Sequence, residues 1–222
     1  MRLFKSALAT IGVSAVLMGV MAAPALADKT VPVYGGITNV TTAAPVVPYL
    51  SDRGILMTPT GGATSDYVMK GTEVRQFFNF AIHGPSYITL EDNQVAGPVG
   101  SIVGGRIAHL GGIRFLHTHN GQKAQLGNFV VNLNKGFVFA TQMNGDPLTK
   151  PVAVFRIVVN DPPLYPVYNQ KVDPTKAKVT GVTLFMTSGA ATLLNSELKV
   201  KAFPTDGSLK FGFVVIKANL VR

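Results

Sequence analysis

From Gln76 to Val159 one pattern recurs: a short run in which aromatic or β-branched side chains alternate with smaller or polar ones, ended by glycine, asparagine or proline. Alternation with a period of two gives an extended strand one set of side chains on each face, and turn residues at short intervals leave no room for long helices. Gln76-Phe77-Phe78-Asn79-Phe80-Ala81-Ile82 is closed by His83-Gly84-Pro85. Phe129, Val131 and Leu133 alternate as far as Asn134-Lys135-Gly136, and Phe137, Phe139 and Thr141 then resume the period. Those two runs form a hairpin, with Gly136 supplying a positive φ. Asn144-Gly145-Asp146-Pro147 turns the chain again, and Val152 to Val159 supplies a further strand that stops at Asp161-Pro162-Pro163. The expected fold is mainly β, an antiparallel β-sandwich or barrel.

Two stretches depart from this pattern. Ser188 to Leu198 reads as a short helix, with Ser188 at its N-terminal cap and a helical apolar stripe through Ala190, Ala191, Leu193 and Leu194. Ala44 to Ser51 carries Pro45 and Pro48 and is expected to make one or two turns. The stretches are related, because Gly36-Ile37-Thr38 and Thr42 align with Gly181-Val182-Thr183 and Thr187, Pro59-Thr60 with Pro204-Thr205, and Gly62 with Gly207, all at one constant offset. This spacing predicts a pseudo-repeat of strand, short helix and strand at the two ends of the chain.

The domain reading is a signal peptide over residues 1–27 followed by a single β-rich domain over 28–222. Arg2 and Lys5 precede the apolar run from Ala7 to Met21, and Ala25 and Ala27 present the small residues a signal peptidase needs just before Asp28-Lys29-Thr30. Much of the positive mean hydropathy of +0.30 sits in that leader. With no Cys in the chain, disulfides, thiolate chemistry and lipid attachment at a signal-peptide cysteine are all excluded, so the fold rests on core packing. A formal net charge of +9 favours anionic surroundings such as envelope polymers over nucleic acid, given export. Lys171, Lys176, Lys178, Lys199, Lys201, Lys210 and Lys217 are spread over the last third of the chain and read as a solvated surface.

Catalytic signatures are hard to assemble. None of Ser51, Ser65, Ser86, Ser101, Ser188, Ser196 or Ser208 sits in a glycine-flanked strand-to-helix elbow, and the adjacent Glu91 and Asp92 would point apart on a strand. The glycine-rich stretch from Gly100 to Gly112 is followed by no helix, so it is not a phosphate loop. The histidines are more informative. In an unbroken strand Ile107, His109, Ile113, Phe115, His117 and His119 share one face while Arg106 and Arg114 take the other, although a bulge at Gly111-Gly112 would reverse the second half. His117 and His119 place two imidazoles on one side, as a metal site would need, just ahead of the Asn120-Gly121 turn. Tyr165 and Tyr168, beside Pro162-Pro163, are the candidate exposed pair for a binding groove.

A family resemblance runs through the same residues. Gly100, Gly104, Ile107, His109, Gly111-Gly112, Ile113 and Phe115, then Leu126 to Val131, then Val179 to Leu184 with Ala190-Ala191 and Leu194-Asn195, resemble a group of secreted bacterial proteins of unknown function, chiefly actinobacterial. The central run is more distantly similar to the HtaA-type haem-uptake domain, in which a glycine-flanked histidine follows a strand and assists a tyrosine that ligates iron. That resemblance implies a β-rich fold with short helices, and it makes His109 the matching histidine. In that domain the tyrosine comes from an N-terminal helical segment, where this chain offers Pro48-Tyr49-Leu50.

These features lead to a secreted, non-catalytic binding or structural protein, extracellular, wall-associated or periplasmic, whose partners are anionic envelope polymers or a small hydrophobic ligand, and which needs no cofactor. The alternative is haem or porphyrin binding through Tyr49 and His109. A third reading is metal-dependent hydrolysis at His117 and His119.

Overall fold

The computed structural model describes residues 28–90, 102–159, 169–172 and 175–221. The expected leader and the Tyr165 and Tyr168 pair lie outside the described residues. The N-terminal third contributes β1 (Lys29–Val33), β2 (Gly35–Thr42), helix α1 (Val46–Ser51), β3 (Ile55–Thr60), β4 (Thr64–Lys70) and β5 (Glu73–Ala81). The middle is all strand: β6 (Ser86–Leu90), β7 (Ile102–Ala108), β8 (Gly112–His117), β9 (Lys123–Asn132), β10 (Phe137–Met143) and β11 (Asp146–Val159). The chain then runs through β12 (Asn169–Val172), β13 (Lys176–Met186), helix α2 (Ser188–Leu198) and β14 (Lys210–Asn219).

All strand pairs are antiparallel, in the order β1-β6-β7-β9-β10-β11-β13-β14-β2-β5-β4, with β12 on the side of β13 and the β3-β8 pair joined through β9. The path does not end in an open edge at β5. Ile82 bridges to His109, the His83 N–H donates to the Ala108 carbonyl at 2.9 Å, and the Leu110 N–H donates to the Ala81 carbonyl at 3.0 Å. The end of β5 is therefore bonded to the end of β7, and the ring β7-β9-β10-β11-β13-β14-β2-β5 closes on itself. Between the sandwich and the barrel that the alternation allowed, these bonds make a barrel.

Next to the closing bridge the chain bends sharply where β7 passes into β8. Both strands pair with β9, and the bend lies at Gly111, with φ +85°. Opposite it, the Asn128 N–H donates to the Gly111 carbonyl at 2.8 Å, and Asn128 itself has a positive φ of 49°. At Gly112 a Cβ would overlap the Leu126 carbonyl of the neighbouring strand, so only glycine allows this approach. The bend does not reverse the faces. Ile107, His109, Ile113 and Phe115 are all buried, and Arg114 is exposed.

The inward set forms the core. Phe80 meets Phe129 edge-on at 5.5 Å between centroids, and Phe155 meets Phe211 at 4.7 Å. Each fully buried ring contributes about 1.5–3 kcal/mol relative to exposure. The helices cover one end: α1 buries Val46 and Leu50 against β3, β5 and β14, while α2 buries Ala190, Ala191, Leu194 and Leu198 against β8, β9 and β11.

The boundaries of α2 are those expected, but its cap is one residue earlier. Thr187, not Ser188, is extended (φ −75°, ψ 154°), and its hydroxyl oxygen accepts from the Ala190 N–H at 3.1 Å while donating to the Ala153 carbonyl at 2.6 Å. The hydroxyl thus ties the helix to β11. Thr187→Ala is expected to cost about 1–2 kcal/mol in urea unfolding, with Thr187→Ser recovering most of it; equal stability of the alanine and serine variants would contradict the role of the hydroxyl.

The two terminal units share the order of strand and helix and then diverge. β2 leads into α1 as β13 leads into α2, and both Gly36 and Gly181, and both Gly62 and Gly207, have positive φ. The second strands differ: Ile55–Thr60 forms β3, whereas residues 200–205 lie between α2 and β14. No helix among the described residues is long and apolar enough to cross a membrane.

Candidate functional site

His109 stands at the bridge that closes the barrel and points inward. It is 4% exposed, with its Nε2 2.7 Å from the Thr38 hydroxyl of β2 and its Nδ1 3.3 Å from the Phe129 carbonyl of β9. A carbonyl can only accept, so Nδ1 carries the proton and Nε2 accepts from Thr38. Burial in apolar surroundings pushes the imidazole down to about 4, only partly offset by the Phe129 carbonyl. At neutral pH His109 is an uncharged, doubly bonded cross-strand tie. Thr38 is reached by the same alternation that turns Val40 and Thr42 inward, so sequence pattern places it on the inner face but gives no sign of its partner.

Beside this pair is a cavity of about 40 Å³ walled by Val40, Phe80, Ile113, Phe155 and Phe211. That is room for a water molecule or a methyl group. Towards the end of the barrel opposite the helices, Val131, Val138, Leu184 and Val214 serve as walls of both this space and a larger one of about 210 Å³. The larger space continues outward past Leu133, Ile157, Val179, Val182 and Ile216. Among the described residues its lining, apart from Gly136, is Val, Leu and Ile. Two of its valines, Val103 and Val159, are 48% and 46% exposed. This open end is not legible in the sequence, because its described walls come from six strands, each of which reads as ordinary core.

The other candidates lie apart from it. Tyr49 of α1 donates its hydroxyl to the Ala202 carbonyl at 2.9 Å, and the Arg53 guanidinium sits 3.7 Å from its ring centroid. It is not among the residues around the His109 cavity, so the structure does not bring Tyr49 and His109 into one pocket. These two residues do not fit a haem as they stand: the phenol and both imidazole nitrogens already have protein partners, and about 40 Å³ compares with the roughly 300–1,000 Å³ of ordinary ligand sites. His117 and His119 are together, with ring centroids 5.4 Å apart, and the buried Nδ1 of His117 has no hydrogen-bond partner. Among the described residues no group of three or more His, Cys, Asp or Glu converges there or elsewhere.

No family model and no curated protein matches the chain. Among solved structures, the C-terminal domain of HtaA from Corynebacterium glutamicum is similar over 86% of this chain and 99% of its own, with a TM-score of 0.50 and 15% sequence identity. A histidine-to-alanine variant of that domain, a domain-swapped dimer, is similar over 80% of this chain and 92% of its own, with a TM-score of 0.42 and 14% identity. The first likeness is one of fold, and it is the fold that the resemblance in the central run implied.

Proposed function

We propose that this chain is an exported, non-catalytic binding module that takes a small apolar molecule into the open end of its barrel. The observation that carries the reading is the space of about 210 Å³ whose described lining side chains are aliphatic, open at Val103 and Val159. Apolar surface transferred there from water contributes about 25 cal/mol per Å². Among the described residues that lining offers no acid, base or nucleophile, and the deeper His109 is held between Thr38 and Phe129. Export rests on the leader, with Arg2 and Lys5 ahead of its apolar run.

The test is a titration of the exported chain with a neutral naphthylamine dye that fluoresces in apolar surroundings, followed by displacement with a straight-chain alcohol. One-to-one saturable binding, competed by the alcohol, is the expected result, with a negative heat-capacity change in calorimetry. Absence of saturable binding would overturn the proposal.

A further inference from the structure

The outer wall of the barrel carries cations in register. Lys171 of β12 stands opposite Lys178 of β13, and Lys178 stands opposite Lys217 of β14. All three are exposed, because their strand neighbours Val172, Ala177, Val179, Ile216 and Ala218 turn inward. Adjacent strands are about 4.8 Å apart, so the three side chains leave the sheet as a row roughly 10 Å long. Further along the same wall Arg156 faces Phe185, and Phe185 faces Lys210. The Arg156 guanidinium lies 5.0 Å from the Phe185 ring and the Lys210 ammonium 5.3 Å from that of Phe213. The described residues of β12, β13, β14 and β2 include no Asp or Glu. Among the described residues Lys171, Lys178 and Lys217 have no carboxylate partner.

Like charges placed directly opposite each other on a sheet destabilise it, and a surface that serves only solubility mixes both signs. A row of three lysines across three strands therefore needs something other than folding to account for it. We propose that this wall binds a linear anionic polymer, whose repeated phosphate, sulfate or carboxylate groups lie along the lysine row and extend towards Arg156. Counterions released from such a polymer drive the association and make it steeply salt-dependent. A lipid surface fits less well. Docking on a bilayer uses apolar side chains that insert beside the charges, and none of the exposed large hydrophobic residues lies on β12, β13, β14 or β2. The inference is independent of the apolar space inside the barrel.

The test compares the exported chain with two triple variants that lose equal charge: Lys171→Gln, Lys178→Gln and Lys217→Gln on the wall, and Lys29→Gln, Lys135→Gln and Lys150→Gln elsewhere. Heparin and inorganic polyphosphate are the polymer probes, and phosphatidylglycerol-containing vesicles the lipid one. The wild type and the control triple are expected to bind both polymers with an affinity that falls as salt rises. The wall triple should bind about tenfold or more weakly while melting no lower than wild type, since its repulsion is gone, and Lys178→Gln alone should fall between. Equal loss in the two triples would mean net charge alone and would overturn the proposal. Binding to vesicles without binding to either polymer, or no polymer binding by wild type at low salt, would overturn it as well.

Discussion

Lowering the pH from 7 to 4 is expected to remove about 3 kcal/mol of folding stability through His109 alone. In the unfolded chain this imidazole protonates near its ordinary value of 6.5, whereas burial holds it down to about 4 in the barrel. Between those values the unfolded state binds the extra proton, so stability falls steadily as the pH drops through the window and is unaffected by this group above it. One pH unit of such a gap corresponds to about 1.4 kcal/mol. Urea unfolding at pH 7, 5.5 and 4 should show this slope in wild type, and His109→Gln, which keeps an amide able to reach Thr38 and Phe129, should flatten it. A variant with the same slope as wild type would place the acid sensitivity elsewhere.

Leu133→Trp is expected to weaken binding of an apolar ligand by about tenfold or more while leaving the melting midpoint close to that of wild type. Leu133 follows β9 in the turn to β10, is partly buried and lines the larger space, so an indole there occupies the volume that a ligand would take. Its backbone N–H donates to the Gly105 carbonyl at 2.9 Å, a bond that the substitution leaves in place. The cost of overpacking is small at an open end, in contrast to the closed core around Phe155 and Phe211. Undiminished dye binding by the tryptophan variant would remove the ligand from this space.

Local chemistry in the sequence accounts for most of the fold. The β9-β10 hairpin turns at Gly136 with φ +68°, and the β10-β11 hairpin turns at Asn144 and Gly145, both with positive φ, as those residue types require. The inward placement of His109 followed from alternation alone, and it survived the bend because Gly111 turns the chain without changing which side chains face inward. Closure was not legible, since the Ile82–His109 bridge joins residues far apart in sequence through backbone atoms that carry no residue-type signal. The same holds for the site. A tyrosine and a histidine can be marked as candidates from their chemistry, but the hydrogen bond from Tyr49 to Ala202 depends on how α1 packs beneath the segment after α2. The open aliphatic end and the lysine row are products of register. Val179 pairs with Ile216 inside, Lys178 with Lys217 outside, and a sequence in which these residues are widely separated shows only scattered valines and lysines.

The most direct test of apolar binding at the open end is a parallel titration of the neutral dye and of hemin against wild type, Leu133→Trp, Tyr49→Phe and His109→Ala. The expected result is saturable dye binding that is weakened about tenfold or more in Leu133→Trp and kept in Tyr49→Phe, with no hemin Soret shift that depends on Tyr49 or His109. A Soret shift abolished by both Tyr49→Phe and His109→Ala, together with dye binding unaffected by Leu133→Trp, would contradict it.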